Sequence, residues 1–330
     1  MEWDAYVSRH PASSLYHHFA WQRLIAEVFR HESRYLIARR NTQIVGVLPM
    51  IRLKSAIFGD YLVSLPYFNF GGALADSGPV SELLMSAAAQ DASKLGCSHI
   101  EFRDRTQRSA WMVRTDKVGM ELCLPDTVSE LTKGFGSKLR AQINKAIKAG
   151  AVAQIGGEEL VGDFYRVFSR NMRDLGTPVY SRRFFREILK AFPNATTIVL
   201  IRFEEQPVAA GFLIRFRDRV EIPWASSLRE SNSLGANMLM YARALEYAVE
   251  GSFKVFDFGR SSVGSGTHRF KKQWGAVEQQ LYWHYWLPEG KTLPQLNPQN
   301  PKFLAAIALW KRLPIWVANM LGPSIVKNLP

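Results

Sequence analysis

The segment SSVGSGTHRFKKQWG, residues 261–275, contains the residue types best suited to chemistry in this chain. Its three glycines let backbone approach a ligand, its aromatic residues can anchor the segment, and its cations can counter developing negative charge. One cation placed on the oxyanion of a tetrahedral intermediate can contribute about 3 kcal/mol. We therefore interpret 261–275 as a site loop. Its candidate cations are His268, Arg269, Lys271 and Lys272, with Phe270 and Trp274 between them.

Asp257 and Arg260, in the preceding stretch FDFGRS, are a second candidate pair. Gly259 between them allows a tight backbone path at the end of a predicted strand, where α/β folds commonly place ligand contacts. One interpretation makes them substrate-binding residues, and the other makes them a buried structural pair. Glu101 and Arg103 occupy similar places in the first half, which favours the structural interpretation.

A third candidate region combines the end of a strand with the start of a helix. Trp224 and Arg229 precede a predicted helix. Its N-terminal turn contains Ser231, Asn232, Ser233 and Gly235, and the donor-binding candidates are Ser233, Gly235 and Asn237. Free N–H groups at a helix N-terminus bind phosphate or carboxylate, so this turn could hold the phosphate end of a donor. An ordinary polar N-cap explains the same residues.

A weak internal repeat predicts the elements that position these residues. Each half contains a hairpin, a further strand, an apolar-periodic helix and a short strand, with Asn41-Thr42 and Glu204-Glu205 in the hairpin turns. The ranges are 35–54, 61–70, 80–95 and 99–105 in the first half, and 198–217, 220–227, 234–249 and 254–261 in the second. Duplication of one α/β unit, a mixed sheet with packed helices, follows from this order.

The two copies differ where chemistry is expected. The first-half counterpart of the site loop, TQRSAWMVRTD, lacks the glycines and the paired lysines. We therefore expect catalysis in the second half, while the first half serves substrate binding or structure. The predicted domains are 1–130, 131–290 and a tail at 291–330.

A basic helix is predicted at 138–150, where Leu139, Ile143 and Ile147 recur on one face and Gly150 ends the helix. The stretch 133–150 has five basic residues and no acidic one. It is interpreted either as a solvated linker helix or as a basic face over an anionic substrate.

The composition favours a globular protein with anionic partners. The chain has 330 residues, a formal charge of +13 and two cysteines without metal-ligand spacing. We expect no metal and no tightly bound cofactor. The N-terminus lacks the features of a secretory signal, which predicts a cytoplasmic location.

The stretches KLRAQINKAIKAG, SNSLGANMLMYARALEYA and FDFGRSSVGSGTHRFKKQWG together resemble the Fem family of peptidoglycan-bridge aminoacyl transferases and their relatives with a tandem GNAT fold. The chain is most similar to the Fem-related proteins associated with PEP-CTERM/exosortase and exopolysaccharide systems. The Phe-Lys pair followed by Trp-Gly is the most specific element. The long coiled-coil arm of some members is missing.

The resemblance implies an α/β (α+β) fold of two tandem GNAT-like domains, each a mixed sheet flanked by helices, with a C-terminal helical tail. It implies that Lys271 is catalytic and stabilises the oxyanion when an amine attacks a thioester or aminoacyl ester, and that Phe270 lies at the acceptor. The implied donors are acyl-CoA, an acyl carrier protein or aminoacyl-tRNA. The implied acceptor is an amine on a cell-envelope glycan or a lipid-linked precursor.

The C-terminal stretch 301–330 follows a Pro/Asn-rich linker and is apolar and basic. Lys311 and Arg312 would each cost about 3 kcal/mol at a bilayer centre, which argues against a membrane span. Packing on the core and peripheral contact at the inner face of the cytoplasmic membrane are both compatible with the sequence. A second hypothesis of function uses that contact, since the chain could be a non-catalytic scaffold of a polysaccharide-synthesis complex.

Overall fold

The computed structural model describes residues 1–56, 58–108, 110–293 and 301–329. Up to Cys123 the chain forms α1 (Glu2–Arg9), α2 (Ala20–Phe29), β1 (Glu32–Ser33), β2 (Leu36–Arg40), β3 (Gln43–Leu48), β4 (Ile51–Ser55), β5 (Gly59–Val63), β6 (Leu74–Ala75), α3 (Gly78–Lys94), β7 (Ile100–Asp104), β8 (Met112–Arg114) and β9 (Lys117–Cys123). Beyond it lie α4 (Val128–Gly134), α5 (Ser137–Lys148), β10 (Val152–Gly156), α6 (Val161–Leu175), α7 (Arg182–Ala191), β11 (Thr196–Phe203), β12 (Gln206–Phe216), β13 (Arg219–Ser227), α8 (Ala236–Glu250), β14 (Val255–Ser262), α9 (Gly266–Lys272), β15 (Val277–Gln280), β16 (Tyr282–Trp286), α10 (Pro301–Trp310) and α11 (Ile315–Val326).

These elements form two compact units. The first contains Met1–Val118 with the described residues of Gln280–Leu296 and Lys327–Pro330, and the second contains Gly119–Gln279 with the described residues of Asn297–Val326. The predicted linker falls mainly on 294–300, which lies outside the described residues. The predicted domain limits stay a prediction.

The first unit has a sheet in the order β1-β4-β5-β7-β16-β8 and a small sheet β2-β3-β6. Strands β4 and β5 are antiparallel, and β5 is parallel to β7. Because parallel neighbours need a crossover, helix α3 connects them and packs its apolar face on a core that includes Leu62 and Phe102. The predicted strand 61–70 is wrong beyond Val63, because positive φ angles at Leu65 (53°) and Tyr67 (76°) turn the backbone out of the extended conformation.

The second unit repeats this connectivity in a sheet of order β10-β11-β12-β13-β14-β9-β15. Strands β12 and β13 are antiparallel, β13 is parallel to β14, and α8 makes the crossover. The hairpin between β11 and β12 turns at Glu204 and Glu205, both with positive φ, as a two-residue turn requires. The predicted duplication and mixed sheets flanked by helices are thus confirmed.

Strand β12 is central because its apolar run is buried almost throughout and both α6 and α8 pack on it. A Cβ at Gly211 would lie 2.8 Å from side-chain atoms of Ile222 and Met240, so glycine allows α8 to approach the sheet.

Two predicted details of the second unit are wrong. Helix α5 buries Ala146 instead of Ile147, which is 46% exposed, and the predicted site loop contains helix α9.

The C-terminal tail forms the two helices α10 and α11, and α11 lies against α6. Gly322 makes this approach close, because a Cβ there would lie 2.8 Å from the backbone nitrogen of Val179. Ala318 and Val326 are buried on the same helix. Within the described ranges, no helix combines the length and the apolar character needed to cross a membrane.

Candidate active site

The site lies where two parallel strands diverge. In the fully described stretch 219–262, the register between β13 and β14 ends at Glu221 and Asp257, although both strands continue beyond this pair. A β-bulge on β13 follows directly, since two residues, Ile222 and Pro223, stand opposite one residue of β12. Bulges bend the strand that carries them, and proline in a sheet is tolerated at such places. The bulge therefore turns β13 away from β14.

Asp257 shapes the end of β14. Its Oδ1 accepts a hydrogen bond from the Gly259 N–H at 2.7 Å, and Gly259 has φ 74°. Consecutive carbonyls of a regular strand point to opposite edges, but a residue with positive φ breaks that alternation. As a result, the carbonyls of Gly259 and Arg260 converge on one point.

That point is the ammonium group of Lys271. Lys271 Nζ donates to the Gly259 carbonyl at 3.0 Å and to the Arg260 carbonyl at 2.8 Å, and the residue is 8% exposed. An ammonium has three N–H donors, so these carbonyls leave one for a ligand. Burial lowers the pKa of Lys271 to about 8, against the opposing charges of Asp257 and Glu221. The side chain is therefore a fixed cation that is mostly protonated at neutral pH.

Helix α9 brings Lys271 to the strand, and His268 anchors this helix. Ser265 caps its start by accepting the His268 N–H at 3.2 Å. The His268 Nδ1 accepts from the Gly264 N–H at 3.3 Å, which leaves Nε2–H to donate to Glu278 Oε1 at 2.9 Å. Lys272 also donates to Glu278, and these two hydrogen bonds lower the pKa of this carboxyl. His268 is thus 5% exposed and serves to hold α9.

Phe270 lies on the side of α9 that faces α8. Its ring centroid is 5.0 Å from that of Tyr241 and 6.4 Å from that of Trp274. Tyr241 also stacks on Phe258 of β14, at 5.8 Å. The half-buried Phe270 belongs to an aromatic cluster that seats α9, and its contact with an acceptor stays a prediction.

Glu221 is a functional candidate that sequence reasoning missed. It is 8% exposed, stands opposite Asp257 in the parallel register, and raises the pKa of Lys271. Burial of a carboxylate is costly unless a cation compensates it, so Glu221 and Lys271 are electrostatically dependent on each other. The sequence does contain one indication of Glu221, because it is the one acidic residue in the largely apolar strand RVEIPWASS.

Two other predicted substrate-binding residues contact different parts of the second unit. Trp224 is 8% exposed and packs its ring on Phe185 at 5.1 Å and on Phe212 at 5.5 Å, within the core next to α7. Arg229 donates to the backbone carbonyl of Asp174, at the end of α6, at 2.9 Å. The geometry brings Lys271, Phe270, His268, Arg260 and Asp257 together but gives Trp224 and Arg229 other contacts.

The predicted donor residues surround the start of α8. Ser233 is exposed in the 3₁₀ helix Arg229–Leu234, Gly235 precedes α8, and Asn237 lies half-buried in the first helical turn. Gly235 has φ 82°, and a Cβ there would lie 2.3 Å from the Gln142 carbonyl oxygen of α5. The glycine thus lets the basic helix α5 lie against the N-terminus of α8. Met238, one residue after Asn237, accepts a weak contact from Gln273 beside α9.

In the first unit, a buried ion pair occupies the position that corresponds to Asp257. Glu101, which matches Asp257 in register, accepts from Arg103 Nε at 2.7 Å and from the Tyr285 hydroxyl at 2.6 Å. Arg103 also donates to the Phe68 carbonyl and is 1% exposed. This cation is fully enclosed by the fold, which supports the expected asymmetry between the halves.

Comparisons with known proteins agree with this architecture. Residues 134–272 match the family described as the acetyltransferase (GNAT) domain. None of the curated proteins matches the sequence. A structure of FemX is similar with a TM-score of 0.62 and 13% identity, covering 86% of this chain and 94% of its own.

Two further solved structures share the fold. L-PGS from Bacillus licheniformis has a TM-score of 0.60 and 13% identity over 94% of this chain and 97% of its own. A tandem GNAT protein from the clavulanic acid biosynthesis pathway has a TM-score of 0.52 and 11% identity over 83% and 95%. At these identities the likeness concerns the fold. The chain therefore has a tandem GNAT fold, and the stretch of its second half that matches the acetyltransferase (GNAT) domain includes Lys271.

Proposed function

We propose that the protein transfers an acyl or aminoacyl group from an activated, phosphate-bearing donor to an amine. The observation that carries this proposal is the buried Lys271 ammonium, held by two backbone carbonyls with a third N–H left to donate. A fixed cation in a site of low polarity stabilises a developing oxyanion more strongly than the same cation in water.

In the reaction the acceptor amine attacks the carbonyl carbon of a thioester or ester. A C–N bond forms, the carbonyl electrons move to oxygen, and Lys271 donates its third N–H to that oxyanion. The tetrahedral intermediate then reforms the carbonyl and expels the thiolate or alkoxide of the donor, which takes up the proton lost by the amine. Lys271 stays protonated throughout and acts as an electrostatic catalyst.

The diverging strands supply a place for the donor. The edge of β13 that faces away from β12 is not paired with β14 beyond Glu221, so its backbone groups can bind a donor chain that carries amides. The first turn of α8 follows Gly235 and has no side-chain cap, and basic helix α5 lies beside it. This combination suits the phosphates of a donor. The GNAT domain favours acyl-CoA, and an acyl carrier protein or aminoacyl-tRNA carries phosphate as well.

For the acceptor we propose an amine on a cell-envelope glycan or on a lipid-linked precursor, within an exopolysaccharide/PEP-CTERM system. The support is the resemblance carried by the Phe-Lys pair at Phe270 and Lys271, followed by Trp274-Gly275. We assign substrate contact to Phe270 and Arg260, whose side chains are half-buried beside Lys271. Trp224 and Arg229 retain a part only if the substrate extends toward α6 and α7.

Lys271→Ala tests the proposal directly. Each donor is incubated with purified protein and envelope extract, and products are detected by mass spectrometry. We expect the variant to lose about 100-fold or more in kcat, because an oxyanion donor is removed, while its circular dichroism is unchanged.

Lys272→Ala is the matched control, since Lys272 is the neighbouring lysine but is exposed and pairs with Glu278. Its kcat should stay within a few-fold of the wild-type value. Full turnover by Lys271→Ala would refute the catalytic assignment. Failure of wild-type protein with every donor would favour the non-catalytic scaffold.

A further inference from the structure

Helices α10 and α11 carry many exposed apolar side chains. The exposed fractions are 70% for Trp316, 65% for Leu309 and 62% for Met320. Among residues 304–326, five further apolar residues of the two helices are exposed: Leu304, Ala305, Ala306, Ala308 and Leu321. Isolated exposed apolar residues are ordinary, but this number of them on two consecutive short helices indicates a binding surface.

This surface rests on a fixed support. Arg173 Nη1, near the end of α6, donates to the Leu313 carbonyl at 2.8 Å, between α10 and α11. Close packing of Gly176 against Ile307, and of Gly322 against Val179, holds the opposite sides of the two helices. The exposed side chains are therefore on the sides of the two helices that do not pack on their own unit.

Charge identifies the partner. The stretch 301–326, which contains both helices, has three basic residues and no acidic residue, and Lys311 and Arg312 lie exposed at the turn between the helices. A second copy would bring two cationic faces together, which like-charge repulsion opposes. An anionic bilayer surface complements the cations and accepts the apolar side chains as well.

The two helices are too short to span a bilayer, so they could contact only its surface. Helices of 10 and 12 residues are about 15 and 18 Å long, well below the roughly 30 Å of a hydrocarbon core. Trp316 is of the residue type enriched at the membrane interface. We propose that the exposed face of α10 and α11 docks the protein on the surface of an anionic phospholipid bilayer. This inference does not depend on the transfer reaction.

The test measures partitioning of the full chain onto vesicles of phosphatidylcholine with and without phosphatidylglycerol. Wild-type protein should bind the anionic vesicles, and binding should weaken as salt screens the cations. The triple variant Leu309→Ser, Trp316→Ser, Met320→Ser should lose at least about tenfold in partition coefficient. Lys311→Gln with Arg312→Gln should lose about fivefold per cation on anionic vesicles.

Leu83→Ser is the matched control, because Leu83 is 64% exposed on α3 of the first unit and should leave partitioning unchanged. Circular dichroism checks that each variant is folded. Equal binding of the triple variant and wild type would overturn the proposal, and so would binding that ignores phosphatidylglycerol. A dimer in sedimentation velocity that the triple variant dissociates, without vesicle binding, would overturn it in favour of a second copy.

Discussion

Asp257 acts on Lys271 in two separable ways. Its carboxylate accepts the Gly259 N–H and so maintains the backbone conformation that aims two carbonyls at the ammonium. Its negative charge raises the pKa of Lys271, against burial, which lowers it to about 8. Substitutions of Asp257 can therefore remove its negative charge alone, or its charge together with its hydrogen-bond acceptor. Asp257 is a positioning residue in this scheme.

Asp257→Asn should keep the hydrogen-bond acceptor and lose the charge. Because Lys271 works protonated, activity falls as pH rises through its pKa, and removal of a nearby negative charge lowers that pKa. The alkaline limb of the kcat/KM profile should therefore move to lower pH in Asp257→Asn. Asp257→Ala should lower kcat at every pH, since the carbonyl pair is no longer held. A profile for Asp257→Asn that superimposes on the wild-type profile would contradict the electrostatic part.

At the scale of elements, helix α9 shows what a pattern of residues fails to predict. Its seven residues lie among glycines and look like a loop, and a helix this short has little stability of its own. It forms because Ser265 caps it, Glu278 binds His268, and aromatic rings hold its inner side. The Glu278 and aromatic contacts are made with other elements, so a local sequence pattern does not reveal them.

Glu278→Ala should release α9 from β15. We expect faster hydrogen–deuterium exchange at residues 266–272 and a kcat lowered by about tenfold, since Lys271 is no longer fixed against β14. Glu278→Gln, which can still accept from His268, should lie between this variant and wild type. Unchanged exchange in Glu278→Ala would show that the aromatic contacts suffice to hold the helix.

Other elements were predictable for physical reasons that are local. The turn at Glu204-Glu205 separates two apolar runs, and the leucines and alanines of α8 recur at helical spacing, so these elements match the predicted ones. The glycines and cations of 261–275 predicted the site segment, and the resemblance of its Phe-Lys pair to the Fem family singled out Lys271. Glu221 was missed because its importance comes from its register with Asp257, a pairing across a crossover helix.

At the scale of the molecule, the two copies of the duplicated unit use the same position of the fold in different ways. In the second unit a carboxylate at the end of the parallel pair shapes a cation site, whereas in the first unit Glu101 neutralises the buried Arg103. The first unit thus uses this position for stability. In the proposed function, the second unit uses it for chemistry.

Glu101→Gln tests this division. Removing one charge of a buried ion pair leaves Arg103 uncompensated and typically costs about 3–5 kcal/mol of unfolding free energy. We expect a clear loss of stability in urea titrations, with kcat close to the wild-type value when measured where the variant is folded. A large drop in kcat without loss of stability would assign a catalytic part to the first unit.

The late position of β16 in the chain delays completion of the first unit's sheet during synthesis. It follows the site in sequence but lies in the first unit's sheet, between β7 and β8, and Tyr285 within it donates to Glu101. On the ribosome, the first unit emerges early yet lacks an interior strand until residue 286 has been synthesised. The edge of β7 is exposed to wrong pairing throughout that interval. Nascent chains whose β16 has not yet left the ribosome should therefore need a chaperone that covers strand edges, whereas chains with β16 outside the ribosome should not.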